Sequence, residues 1–295
     1  MHTSSNTKTS RASSLMKIFL SILASFIAFD LSARQIKEAT FSYWNKPDIN
    51  IFYSTPELIN QKTKIIFLIH GDSRDAKKFI NDWLQIARDR NVVLVAPKFS
   101  DDFYSEYSLL MMSNEKGRLL NNKSMHLDNS LGILFDFFHS KLKLSTLSYR
   151  LYGHSKGSEF VQRYLLLSND TRVDKVAMAN SGFYTFIDDQ IAFPFGTKNM
   201  NISNQRIEWF MRLKGGVFLS DTSIKKIDST LIKTRKAKKQ GKDRLDRGTN
   251  FFNDLTMLGV ERNLPFRWRY QLVPNGTKGS NEVNTVVSEF LLEDL

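Results

Sequence analysis

The feature that most constrains the fold is an alternation of short apolar runs with stretches of helical periodicity. Residues 64–69 and 91–97 are rich in apolar and β-branched residues, which is typical of parallel strands buried on both faces. Between them, apolar residues recur at steps of three and four, at positions 76, 79, 80, 83, 84, 86 and 87, which predicts a helix with one apolar face. Further strands are predicted near 148–152, 175–179, 216–219 and 266–273, and further helices near 129–141 and 156–167. We therefore expect an α/β fold with a mostly parallel central sheet flanked by helices.

The first 33 residues have the pattern of a secretory signal peptide. A polar stretch precedes an apolar run over 18–29, which is too short for a membrane-spanning helix of about 20 residues but suits a signal sequence. A buried N-terminal helix is the alternative, although the run lacks the polar stripe of a core helix. We predict a signal peptide at 1–33, secretion or periplasmic export, and no stable membrane insertion after cleavage. No repeat or Pro-rich linker divides residues 41–291, so 34–295 is predicted to be one domain.

Composition limits the chemistry that is open to the chain. The chain has no cysteine, which excludes disulfides, thiolate metal sites and cysteine nucleophiles, so any nucleophile must be oxygen or nitrogen. The formal charge is +12 for the whole chain and about +10 for residues 34–295, because residues 1–33 hold three bases and one acid. A basic protein can attract anionic surfaces, but its net charge does not indicate a fold or a reaction.

The most specific motif is Gly153-His154-Ser155-Lys156-Gly157, between a predicted strand and a predicted helix. This is a G-x-S-x-G pattern in the context that it requires, a sharp turn that exposes the serine hydroxyl above the edge of the sheet. The turn places Ser155 at the N-terminus of a helix, whose amide groups favour developing negative charge. We predict that Ser155 is a nucleophile; an ordinary glycine-rich turn is the alternative.

Two other strand ends supply partners for this serine. His70-Gly71-Asp72 follows the strand at 64–69, so backbone amides near Gly71 and Asp72, with that of Lys156, are predicted to bind an oxyanion, with His70 as a structural residue. Asp221 follows the strand at 216–219, at the edge where active sites of open α/β sheets lie, and is the candidate acid. Asp228 is a weaker alternative.

These motifs resemble those of the α/β-hydrolase superfamily, and more narrowly those of secreted bacterial polyhydroxybutyrate depolymerases and related esterases. The resemblance extends over residues 41 to about 278. It rests on His70-Gly71 with Arg74-Asp75-Ala76, Ala96-Pro97-Lys98-Phe99, Tyr152-Gly153-His154-Ser155 with Arg163, Asn180-Ser181-Gly182-Phe183-Tyr184, Phe193-Pro194-Phe195-Gly196, and Gln240-Gly241-Lys242-Asp243-Arg244 with Arg247-Gly248 and Phe251-Phe252. It implies a serine hydrolase in which Ser155 is the nucleophile and Asp221 the acid.

The histidine that the resemblance implies is missing. In that group it follows the last strand, where this chain has Lys278, and no histidine occurs after His154. Lys278 could act as the base only if its pKa fell from about 10.4 toward neutrality. A neighbouring Asp221 would instead stabilise the charged amine and favour an inert ion pair. A working Lys278 base, a displaced histidine (His126 or His139) and an impaired site are the three alternatives.

Two segments interrupt the alternation of strands and helices. Residues 182–213 are rich in aromatic side chains, which predicts either a lid over a pocket or an insertion with its own small core. Residues 222–250 hold ten Lys or Arg against three Asp, which is typical of a solvated helix face. No aromatic residue lies among these ten bases, so the segment does not predict a nucleic-acid surface.

Two functions are consistent with these features. The first is a secreted serine hydrolase that cleaves a small ester or a polyester through an acyl-Ser155 intermediate and is impaired by the replacement of its histidine. The second is a non-catalytic protein of the same fold that binds a polymer or an anionic envelope surface. No cofactor is expected, because the sequence has no phosphate-binding glycine loop, no strand-associated dinucleotide motif and no zinc-ligand spacing of its histidines.

Overall fold

An eight-stranded sheet forms the centre of the protein in the computed structural model. The structure describes residues 34–221, 228, 230–274 and 281–295. The predicted signal peptide, Lys278 and residues 222–227 and 229 of the basic segment therefore lie outside the described residues. Across the described residues, no helix combines the length and the apolar character needed to cross a bilayer.

The strand order is β1-β2-β4-β3-β5-β6-β7-β8. The strands are β1 (Lys37–Phe41), β2 (Ile49–Ser54), β3 (Lys64–Ile69), β4 (Val92–Lys98), β5 (Tyr149–His154), β6 (Val173–Ala179), β7 (Lys214–Ser220) and β8 (Trp268–Val273). β1 pairs with β2 and β2 with β4 in antiparallel fashion, whereas β4, β3, β5, β6, β7 and β8 run parallel. The predicted mostly parallel sheet is confirmed, and β1 and β2 extend it at one edge.

Helices cover both faces of this sheet. They are α1 (Ala76–Leu84), α2 (Asp101–Tyr104), α3 (Ser130–Lys141), α4 (Lys156–Leu167), α5 (Asn204–Arg212), α6 (Arg235–Lys238), α7 (Arg244–Glu261) and α8 (Asn281–Leu292). Side chains of β3 alternate between two hydrophobic cores, since Ile66 and Leu68 pack with α1 and α8, whereas Ile65, Phe67 and Ile69 pack with α3, α4, α5 and α7. The continuous apolar run of β3 therefore reflects burial on both faces.

The aromatic residues of segment 182–213 pack into the interior. Phe183, Tyr184, Phe193 and Phe195 are all buried, and the Tyr184 ring stacks on Phe251 of α7 with their centroids 4.3 Å apart. No residue of this segment lines the cavity at Ser155 that is described below. These contacts favour an insertion that packs on the body of the domain over a lid.

The basic segment is only partly a solvated surface. Several of its lysines are exposed, as predicted, but Arg247 in α7 is 1% exposed. Its guanidinium donates hydrogen bonds to the carbonyl oxygens of Gly182 at 2.6 Å, Ile232 at 3.0 Å and Gly241 at 3.0 Å. The prediction of a solvated helix face is therefore wrong for Arg247, because its donors satisfy buried backbone carbonyls of three loops.

Candidate active site

Ser155 lies on a sharp turn between β5 and α4. Its backbone has φ 55° and ψ −121°, a conformation that non-glycine residues rarely adopt. A Cβ atom on Gly153 would lie 2.2 Å from the carbonyl oxygen of Gly157, and one on Gly157 would lie 2.0 Å from that of Ile69. The two glycines of the motif are therefore required by close backbone packing, and the predicted strand-turn-helix geometry is confirmed.

A cavity of about 520 Å³ opens beside Ser155. Its described wall is formed by the loop after β3 and the adjoining helix α1, by His154 and Ser155, and by Thr230 and Asn284. This is the carboxyl edge of the parallel strands, where sites of open α/β sheets are expected. A serine hydroxyl at such a place can meet a substrate although the Ser155 residue as a whole is only 1% exposed.

The Ser155 hydroxyl donates a hydrogen bond to a carboxylate. Its Oγ lies 2.7 Å from Oδ2 of Asp72. The sequence predicted a role for the backbone amide of Asp72 and did not anticipate this side-chain contact. The pairing of the strands could have indicated this contact. β3 and β5 are parallel neighbours with Ile69 in register with Gly153, so the residues that follow the two strands lie side by side.

The predicted oxyanion donors belong to the same group of residues. A Cβ atom on Gly71 would lie 3.2 Å from the Cβ of Ser155, so the backbone of Gly71 lies against the serine. Lys156 is the first residue of α4, and its amide has no acceptor within the helix. The structure thus brings Gly71, Asp72, Ser155 and Lys156 together, and their role in binding an oxyanion stays a prediction.

The Lys156 side chain points to another carboxylate. Its Nζ lies 3.0 Å from Oε1 of Glu115. Burial lowers the pKa of this lysine, but the hydrogen bond and charge of Glu115 outweigh burial and raise the pKa above its ordinary value. Lys156 therefore stays a cation at neutral pH and raises the electrostatic potential around Ser155.

Asp221 follows β7 as predicted, but no described contact links it to Ser155. It is exposed, it is not among the residues that line the cavity, and its amide donates to the carbonyl oxygen of Val273 at 3.1 Å. Its weaker alternative, Asp228, accepts hydrogen bonds from Arg244 and Thr230. Lys278 lies outside the described residues, so the roles of Asp221 and Lys278 stay predictions.

Two of the described histidines, His70 and His154, line the cavity at Ser155. His70 has both ring nitrogens engaged, since Nε2 accepts from the Phe99 amide at 3.1 Å and Nδ1 donates to the Gly71 carbonyl oxygen at 3.1 Å. Burial lowers the pKa of His70 to about 4, so it is neutral and structural, as predicted. His126 and His139 do not line the cavity. His154 precedes Ser155 in the chain and lines the cavity with it.

A buried ion pair supports the helix behind the serine. Glu159 and Arg163 lie on α4 with side chains 2% and 0% exposed and with Nη1 and Oε2 3.7 Å apart. Glu159 accepts from the Gly182 amide at 3.2 Å, and Arg163 donates to the Ser108 carbonyl oxygen at 3.1 Å. Burial raises the pKa of Glu159, although the charge of Arg163 opposes this. The pair connects α4 to two loops and so holds the turn at Ser155 in place.

The strand order and the serine turn after β5 define the α/β-hydrolase fold. Solved structures share it. A poly(aspartic acid) hydrolase from Sphingomonas sp. KT-1 superposes with a TM-score of 0.80 at 24% identity, covering 88% of this chain and 98% of its own. A poly(3-hydroxybutyrate) depolymerase from Bordetella parapertussis superposes with a TM-score of 0.79 at 18% identity, and the match covers 91% of this chain and 93% of the depolymerase. A siderophore hydrolase from Aspergillus nidulans superposes with a TM-score of 0.54 at 13% identity, and the match covers 89% of this chain and 95% of the siderophore hydrolase.

No protein-family model matches the chain, and no curated protein matches its sequence. At these identities the likeness to solved structures shows the fold alone. Within the described part of the chain, no group of three or more histidine or acidic side chains is arranged to hold a metal ion.

Proposed function

We propose that this protein is a serine hydrolase that cleaves a carboxylic ester or a polyester through an acyl-Ser155 intermediate. The observation that carries the proposal is the Ser155 turn, which holds a hydroxyl in a conformation with positive φ beside a cavity at the carboxyl edge of the sheet. A nucleophile held this way can attack an acyl carbon while amides at the helix N-terminus stabilise the oxyanion. The names of the similar structures, which are hydrolases and a depolymerase, support this reaction class.

The charges of the cavity support a neutral substrate. Its described wall carries the carboxylates of Asp72, Asp75 and Asp82 and the amine of Lys78, whose Nζ lies 2.7 Å from Oδ2 of Asp82. The excess of carboxylates over amines among these described residues disfavours an anionic acyl group. We therefore propose an ester or polyester rather than a polyanionic polymer as the substrate.

We propose that hydrolysis is slow, because the chain has no histidine after His154. In this proposal the Lys278 amine stays charged beside Asp221 and cannot accept a proton. We also propose that the protein is exported, on the basis of the signal pattern at 1–33.

The proposal is tested by titrating the protein with a fluorophosphonate, which reacts covalently with activated serines, while turnover of p-nitrophenyl butyrate is followed. We expect slow turnover that falls in proportion to the labelled fraction. Full activity after complete labelling would contradict the serine mechanism. No turnover, together with salt-sensitive binding to polyester granules or anionic vesicles, would favour the non-catalytic alternative, which the charge of about +10 on residues 34–295 motivates.

Lys278→His should raise the rate of ester hydrolysis. An imidazole titrates near neutrality and can accept the serine proton, and a positioned general base contributes about 10²-fold or more. Lys278→Gln is the matched control, because it removes the amine without supplying a base. We expect the histidine variant to be about 10²-fold faster than the glutamine variant in kcat/KM. Equal rates would show that the loss of this histidine does not limit the site.

A further inference from the structure

We propose that the Asp72 carboxylate, in place of a histidine, accepts the proton of Ser155 when the serine attacks its substrate. The inference rests on the proposed function and names the base that would serve it. Its starting point is the hydrogen bond of 2.7 Å from Ser155 Oγ to Asp72 Oδ2. A general base must lie within about 2.6–3.2 Å of the atom that it deprotonates, and this contact meets that requirement.

The loop that carries Asp72 is held against the serine from several sides. The Gly71 backbone packs on Ser155, and the Arg74 amide donates to the Gly71 carbonyl oxygen at 3.1 Å. The Tyr107 hydroxyl, which is fully buried, lies 2.7 Å from the carbonyl oxygen of His70 and 3.0 Å from that of Gly71. These contacts fix the backbone on the N-terminal side of Asp72 and so place this residue beside Ser155.

The charge balance of the site also favours proton transfer to Asp72. An ionised carboxylate so near to a developing oxyanion would repel it, because like charges interact strongly where water is excluded. If the carboxylate takes the serine proton, it becomes neutral as the oxyanion forms. The negative charge of Asp72 then no longer offsets the positive charge of Lys156, which is paired with Glu115 nearby. The Lys156 amine therefore stabilises the oxyanion better.

The reaction balances with these groups alone. The Ser155 proton moves to Asp72 Oδ2 as Oγ bonds to the acyl carbon and the carbonyl electron pair moves to oxygen. The electron pair on oxygen then re-forms the carbonyl double bond as the bond to the leaving alcohol breaks. The alcohol takes the proton from Asp72. Water then attacks the acyl carbon and gives a proton to Asp72, which passes it to Ser155 Oγ as the acid is released.

The inference is tested with Asp72→Asn, which keeps the size of the side chain and removes its basicity. Asp75→Asn is the charge control, because Asp75 lines the same cavity and asparagine can also cap α1, where Asp75 accepts from the Lys78 amide at 2.8 Å. We expect fluorophosphonate labelling of Ser155 and turnover of p-nitrophenyl butyrate to be about 10²-fold slower in Asp72→Asn than in Asp75→Asn.

Asp72→Ser, which also lacks a carboxylate, should show the same loss, and Asp72→Glu should recover part of the labelling rate. Labelling of Asp72→Asn or Asp72→Ser as fast as that of Asp75→Asn, or faster, would overturn the inference and show that Asp72 obstructs the site. That result would leave the proposed function intact, because the wild-type protein would still be labelled. If the wild-type protein is neither labelled nor active, the proposed function itself fails, and the inference with it.

Discussion

Ser155→Ala should abolish covalent labelling by a fluorophosphonate and lower ester turnover by about 10²-fold or more, leaving a residual rate that the reagent does not inhibit. Ser155 has the hydroxyl that the structure places at the strained turn, beside the cavity and in contact with Asp72. Labelling kinetics and steady-state turnover measured on the same preparations would establish both effects.

Ser158→Ala is the matched control for this variant. Ser158 lies one turn further along α4, is fully buried, and its hydroxyl has no hydrogen-bond partner among the described residues. Removing an unsatisfied buried hydroxyl should leave stability equal or higher and labelling unchanged. Equal turnover by Ser155→Ala and the wild-type protein would remove Ser155 from the mechanism, whereas equal losses in both variants would indicate damage to α4.

Gly157→Ala should destabilise the fold by roughly 3 kcal/mol or more. The added methyl group would lie 2.0 Å from the carbonyl oxygen of Ile69 and 2.6 Å from that of His70. Both atoms belong to the backbone at the end of β3, which cannot move without disturbing the sheet and the Asp72 loop. Thermal unfolding should show a fall in Tm of roughly 6 to 12 °C, together with a loss of labelling at Ser155.

Gly259→Ala provides the comparison for the glycine variant. Gly259 is also a buried helical glycine, but a Cβ there would meet Met211 at 3.4 Å and Phe266 at 3.5 Å, which are ordinary contacts. Alanine is favoured over glycine in a helix by about 1 kcal/mol, so the Tm should stay equal or rise. A Gly157→Ala protein as stable as Gly259→Ala would mean that β3 and α4 do not pack as closely as described.

Local patterns in the sequence predicted most of the fold and the position of the serine. The strands of the parallel sheet are continuous apolar runs, and the turn at Ser155 is marked by glycines that have no room for a side chain. β2 was also not predicted, although five of its six residues are buried. β1 was not predicted because it is an edge strand with mostly exposed side chains. Its pattern is therefore weaker than that of β3, which is buried on both faces.

Contacts between distant residues could not be predicted in the same way. The Asp72 carboxylate reaches Ser155 across 83 positions in sequence, through the pairing of β3 with β5 and through a side-chain conformation that no pattern encodes. Arg247 was expected in solvent because clusters of basic residues usually lie on the surface. Its burial instead depends on carbonyl groups of three separate loops. Charge counting detects basic residues but does not reveal which acceptors lie near them.

Mass spectrometry of the wild-type protein, quenched in acid during turnover of p-nitrophenyl butyrate, tests the role of Ser155 most directly. Asp72 would serve both steps, but p-nitrophenolate leaves far more readily than the Ser155 alkoxide. Loss of the acyl group to water should therefore be the slower step, and the butyryl ester should accumulate on the enzyme. We predict that this ester is found on the peptide that contains Ser155. Turnover with no acyl group on that peptide, or with the acyl group on another residue, would contradict the account.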